Sequence, residues 1–352
     1  MSRQDVRCIV VGLGAITRTM LNALKEAQWY ETAAVVDVSE KALADIRATY
    51  PDAPGFTDLA SALEHVSADA VLINTPSELH YEQTKAALRA GLHVLVAKPI
   101  TNDFEQACEL VELADENGVT LSVGQQMRFM KHYQAVARFV DEGRLGSVEL
   151  ISLLNPKPRP NPANLATMEQ PALYEMACHH FDSLLALVPG RVPLAIGCDG
   201  FTPSWSGYAG PSMVNAWIRF SEGLHVLYQS GFSSQTLNYE LRLDGSEGAL
   251  RCRGVHMSVD EMTNEFAPPL GSFAPLEIAG DIPETDPWGT LFDLWYDYLA
   301  GGAVPPFSGR NNLKAFALLS AGIESVEQGG SPVEVATGER YAVAFAEPAR
   351  NR

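Results

Sequence analysis

The stretch Val6-Arg7-Cys8-Ile9-Val10-Val11-Gly12-Leu13-Gly14-Ala15-Ile16-Thr17 decides the fold. Its first six residues form a short apolar run, as in a parallel strand buried on both faces. Gly12 permits a tight turn after the strand, and Gly14 lets the backbone approach a pyrophosphate. The helix that begins near Ala15 and Ile16 offers that anion free N–H groups and a positive dipole end. Thr17 stands where the third glycine of such a fingerprint falls.

Asp37 closes the next apolar run, Thr32 to Asp37, 20 residues beyond Thr17. A carboxylate at that point accepts bonds from the adenosine ribose hydroxyls and repels a 2′-phosphate. No arginine follows in Val38-Ser39-Glu40-Lys41, so the pattern favours NAD over NADP.

The alternation continues outward. Ser39 is placed to cap a helix. Asp69 to Thr75 reads as a strand, and Glu78 to Ala90 as a helix stopped at Gly91. Leu92 to Ala97 is a strand, Asp103 to Asn117 a helix, and Val119 to Val123 a strand. Repeated βα units predict a doubly wound parallel sheet ending near Gly124. Two polar features fall at strand ends, where such sheets hold ligands. One is Asn74-Thr75-Pro76, leading to a helix with His80 and suited to line a pyrophosphate and a nicotinamide ribose. The other is Lys98, which closes His93-Val94-Leu95-Val96-Ala97-Lys98-Pro99.

The rest of the chain reads differently. Helices are expected over Lys131 to Glu142, Ala172 to Val188, Pro287 to Ala300 and Asn311 to Gln328. Runs at 192–199, 212–221, 224–232, 237–244 and 248–253 alternate as strands of an open antiparallel sheet do. Pro156 to Pro162 is too proline-rich for helix or central strand, and 262–287, with five prolines, reads as a long loop. The expected fold class is α/β, with domains at 1–124 and 125–352.

The chain has 352 residues, of which 46% are hydrophobic and 19% charged, enough for two packed cores. A net charge of −18 argues against nucleic acid and anionic membranes as partners. No apolar run approaches the ~20 residues of a membrane span. Five scattered cysteines without CxxC spacing point to a reducing, cytoplasmic setting and to no metal site.

Within Tyr174-Glu175-Met176-Ala177-Cys178-His179-His180-Phe181-Asp182, helical spacing puts Glu175, His179 and Asp182 on one face. An acid one turn from an imidazole orients it and tunes its pKa. With a lysine, these are the parts needed to remove a proton from a secondary alcohol. His180 points elsewhere and reads as structural.

Together these residues resemble the Gfo/Idh/MocA family of glucose–fructose oxidoreductase, inositol dehydrogenase and relatives. The resemblance runs from Gly12–Thr17 and Asp37 through Asn74-Thr75-Pro76…His80 and Ala90-Gly91-Leu92-His93-Val94…Lys98-Pro99. It continues in Gly124-Gln125-Gln126-Met127-Arg128-Phe129, His179…Asp182, Asp244-Gly245-Ser246-Glu247-Gly248-Ala249-Leu250 and Ser308-Gly309-Arg310. It implies a Rossmann domain followed by an α/β domain whose large open, mostly antiparallel sheet makes a homodimer or homotetramer. Lys98 matches the family's Glu-Lys-Pro lysine, His179 its catalytic histidine and Glu175 its acid. Gln126 and Arg128 fall where the family lines the nicotinamide pocket, and Arg128, Asp182, His179 and Lys98 become candidates for touching substrate. Ala97, Glu175 and Ala177 depart from the family's usual glutamate, aspartate and glycine. The implied activity is an NAD-dependent dehydrogenase acting on a CH–OH of a sugar, inositol or glycoside. Two alternatives remain open: an NAD-using glycosidase with transient sugar oxidation, and a non-catalytic NAD-binding sensor.

Overall fold

The computed structural model describes residues 5–27, 29–160, 165–255, 262–280, 282–284 and 286–346. The chain divides into two compact units. The first comprises Met1–Gln126 and Thr285–Leu313, the second Met127–Glu284 and Lys314–Arg352.

In the first unit the described residues form a six-stranded sheet from β1 (Val6–Val11), β2 (Tyr30–Val36), β3 (Gly55–Phe56), β4 (Ala70–Ile73), β5 (His93–Val96) and β6 (Leu121–Val123). Its order is β3-β2-β1-β4-β5-β6, and every pairing is parallel. Strand β4 is buried throughout, as a sheet covered by helices on both faces requires. The order reverses between β1 and β4, and there the turns at Gly12 and Asn74 emerge. Ser39, Asp58 and Asp103 each cap a helix through a side-chain oxygen, so local chemistry fixes where those helices start.

The expectation put everything after residue 124 into the second domain, whereas helix Pro287–Leu299 belongs to the first unit. Its aromatic face explains why. Tyr30 stacks on Trp295 with centroids 5.6 Å apart, and the Tyr30 hydroxyl donates to Phe292 O at 2.7 Å. Trp295 and Phe292 are fully buried by this packing.

In the second unit the described residues form a nine-stranded sheet from β7 (Val148–Pro156), β8 (Pro193–Phe201), β9 (Met213–Phe220), β10 (His225–Gly231), β11 (Tyr239–Gly245), β12 (Gly248–Gly254), β13 (Thr263–Ala267), β14 (Ala274–Pro275) and β15 (Val333–Glu334). The order is β14-β13-β12-β11-β7-β10-β9-β8-β15; β7 and β10 run parallel, and the other neighbours antiparallel. Central strand β7 lies outside all five expected runs, and β13 and β14 occupy the stretch expected as a loop. One sheet face is apolar and buried, with Ile151, Leu153, Val226, Leu241 and Leu243 on it. The helix expected over Ala172 to Val188 starts instead as a wide π turn, Leu173–Ala177, and tightens to an α-helix at Cys178–Leu187. Among the described residues no helix is long and apolar enough to cross a membrane.

Candidate functional site

The first unit builds a cradle suited to a dinucleotide. Gly12 has φ +85°, and a Cβ there would lie 2.7 Å from Asn74 O, so the turn accepts no side chain. Asp37 fixes the loop: Leu13 N–H donates to its Oδ2 at 2.7 Å and Ser39 N–H to its Oδ1 at 2.8 Å. Each carboxylate oxygen keeps a second lone pair for a ribose hydroxyl. Thr17, which has no fingerprint role by pattern, donates its hydroxyl to Gly12 O at 2.7 Å and so clasps the turn from within. A hydroxyl at that position was the signal available in the sequence.

Gly14 caps helix Ala15–Glu26 without a side-chain bond, and no acid sits in the first turn. The first-turn amides are therefore available to an anion rather than to a capping oxygen. No atom lies within 4 Å of where a Gly14 Cβ would be. The side chains of Ala15 and Ile16, both expected at the cofactor, lie outside the described residues.

Among the described residues of this unit, buried amide atoms without a hydrogen-bond partner include Nδ2 and Oδ1 of Asn74, Oε1 of Gln126 and Nδ2 of Asn312. Buried amides are nearly always bonded, and orphans call for an explanation. Asn74 and Gln126 were expected at the cofactor, and a dinucleotide held there would meet this need. The residues present therefore fit NAD. Gly12, the first-turn amides after Gly14, Asp37, Asn74 and Gln126 would hold it.

His80 behaves differently from expectation. Its ring is 1% exposed, and both nitrogens face backbone carbonyls, Nδ1 at 2.7 Å from Pro99 O and Nε2 at 2.9 Å from Thr75 O. Burial pushes its pKa down, against the pull of those carbonyls, and the nearby Lys98 adds to the lowering. The ring is thus spent on tying the Thr75-Pro76 turn to the Lys98-Pro99 turn, not on direct contact with a cofactor. Thr75 Oγ1 donates to Gln83 Oε1 at 2.6 Å, which steadies the same turn. Lys98 is half-buried directly past β5, at the carboxyl edge of the sheet.

In the second unit, Glu175 lies in the π turn, half-buried, and His179 lies in the first α turn at 8% exposure. π turns inserted in α-helices are frequent at functional sites. Arg128 and Asp182, both expected to touch substrate, bind each other. Arg128 Nε donates to Asp182 Oδ2 at 2.8 Å and Nη2 to Oδ1 at 2.6 Å, with a further bond from Nη2 to the Asp182 carbonyl at 3.2 Å. Burial raises the Asp182 pKa, and the guanidinium pulls it back down. A bidentate pair this enclosed is a brace on the helix. These two residues, expected at substrate, are thus bonded to each other.

Comparison with known proteins agrees with both units. Residues 6–125 match the family model described as "Oxidoreductase family, NAD-binding Rossmann fold", and residues 133–251 match the GFO/IDH/MocA C-terminal domain. The chain is 25% identical over 331 residues to inositol 2-dehydrogenase of Rhizobium meliloti (strain 1021), covering 92% of this chain and 97% of that protein. It is 24% identical over 346 residues to 1,5-anhydro-D-fructose reductase of Ensifer adhaerens, covering 94% and 98%. Its fold is similar to that of the WlbA dehydrogenase from Bordetella pertussis, solved with NADH and UDP-GlcNAcA. The TM-score is 0.80 at 22% identity, covering 95% of this chain and 99% of that one.

Proposed function

Because the chain belongs to the GFO/IDH/MocA family of NAD-binding oxidoreductases, we propose that it is a dehydrogenase moving a hydride between a CH–OH carbon of a sugar, inositol or glycoside and nicotinamide. The cradle formed by Gly12, Asp37, Asn74 and Gln126 carries the reading, since its orphaned amides await a polar ligand of this kind. The substrate class follows the two relatives named above, an inositol dehydrogenase and an anhydrofructose reductase, each aligned over more than nine-tenths of this chain.

Bound NAD supplies the hydride acceptor. His179 acts as general base and takes the hydroxyl proton. Lys98 bonds the same oxygen and stabilises the negative charge that develops on it. Glu175 orients His179. A subunit contact on the exposed sheet face is supported by Leu150, Trp217 and Leu227, which stand 38%, 39% and 54% exposed. These three share one face by register, through the pairs His225↔Leu150 and Leu227↔Trp217. An apolar patch of this sort on a sheet suits a second copy of the chain. Five free thiols accord with a cytoplasmic setting.

The test is a polyol and sugar panel followed by absorbance of reduced nicotinamide, run with NAD and NADP. Lys98→Ala and His179→Ala should bind NAD normally while turnover falls, by roughly 10²–10⁴-fold for the base. Near-full kcat/KM in both variants rejects these roles. Product formed without net NADH would favour the glycosidase chemistry, and NAD binding without any exchange would favour a sensor.

A further inference from the structure

His180 is fully buried beside the proposed base, and the reaction makes no use of it. Its surroundings hold both ring nitrogens by hydrogen bonds. Asn155 Nδ2 donates to His180 Nε2 at 3.0 Å, so the ring proton sits on Nδ1. Nδ1 then donates to Tyr228 Oη at 2.9 Å. Ser230 Oγ donates to Asn155 O at 3.1 Å and so ties the Asn155 backbone to the neighbouring strand. Asn155 stands on β7, and Tyr228 and Ser230 on β10, the parallel pair at the middle of the sheet. The rings of His180 and Tyr228 also meet edge-on at 5.6 Å.

We propose that His180 is a positioning residue: clamped by Asn155 and Tyr228, it sets the direction in which His179 presents its imidazole. The proposal rests on the reading of His179 as the base and names what aims it. Neighbouring residues on an α-helix point about 100° apart, so fixing one side chain against the sheet fixes the azimuth of the next. The need is local. The helix changes from π to α immediately before His179, and a wide turn displaced by one residue would swing the imidazole off its line. The clamp sits one residue after His179 and holds that junction in place; the Arg128–Asp182 bond holds the helix again two residues later. Burial, helped by nearby Lys157, pushes the His180 pKa down to about 3. The ring therefore stays neutral in one tautomer and adds no second positive charge when His179 takes up a proton.

The experiment uses the full chain labelled with ¹⁵N-histidine and loaded with NAD, with myo-inositol as the kinetic probe and Tyr228→Phe as the variant. His180 should hold the neutral Nδ1–H form between about pH 5 and 8. In Tyr228→Phe the His179 resonances and apparent pKa should move. kcat should fall roughly 10- to 100-fold, with KM within about twofold. The proposal is overturned if His180 titrates near 6.5. It is also overturned if Tyr228→Phe leaves the His179 resonances in place, or keeps wild-type kcat well below its melting temperature. Should the wild type oxidise no polyol, the dehydrogenase reading falls, and the resonance measurements still decide the clamp.

Discussion

In the six-stranded sheet, the groups suited to the cofactor sit in turns just past strand ends. In the nine-stranded sheet, the proposed base rides a helix laid across one buried face. The first arrangement is specified within a few residues: Gly12 by its φ of +85°, and the loop by Asp37 accepting two backbone amides. The second depends on distant partners, with His180 meeting Asn155 and Tyr228, 25 and 48 residues away. A turn site is therefore sensitive to its backbone, and a face site to the polar groups beneath it.

The sharpest way to break this contrast is Asp182→Ala. It strands the Arg128 guanidinium, 12% exposed, and should destabilise the second unit by about 3–5 kcal/mol in urea unfolding. A loss under about 1 kcal/mol would mean the pair is not a brace. Acid provides the next test. Burial pushes His132 down from 6.5 to about 4, so its stability contribution is whole above 6.5 and drains away as the pH falls toward 4. About 3 kcal/mol should be lost across that window, and His132→Gln should flatten the slope. Gly12→Val addresses the turn: strain at a positive φ and contact with Asn74 O should weaken NAD binding roughly 100-fold by calorimetry. Wild-type affinity would show that the turn tolerates a side chain. The smallest effect is expected from Leu227→Lys on the exposed face, within about 0.5 kcal/mol in stability. Sedimentation should nonetheless report dissociation to monomers; an unchanged assembly would move the contact elsewhere.

The same contrast explains what the sequence made legible. Parallel strands such as β4 are uniformly apolar, and their helices carry Ser39, Asp58 or Asp103 at the cap. Both signals are local, and the elements at Ser39, Asp103 and β4 were read, whereas the short helix behind Asp58 was not. Strand β7 escaped because its faces blur. Leu150 and Leu154 lie on the open side, while Asn155 takes an inner position where an apolar residue would complete the alternation. That polar intrusion belongs to the clamp, so the feature that hid the strand is the one that gives it a task. The spacing of Glu175, His179 and Asp182 located the helix but not its π turn, nor the partner that Asp182 takes. Both follow from tertiary packing, which periodicity does not record.

The return of helix Pro287–Leu299 to the first unit bears on how this protein comes apart. A ribosome finishes residues 5–126 long before the covering for Tyr30 is made, so the nascent nucleotide-binding half waits with a bare aromatic patch. Cutting the gene at residue 126 would reproduce that unfinished state permanently. Excision of a self-sufficient half requires splicing 286–313 onto it.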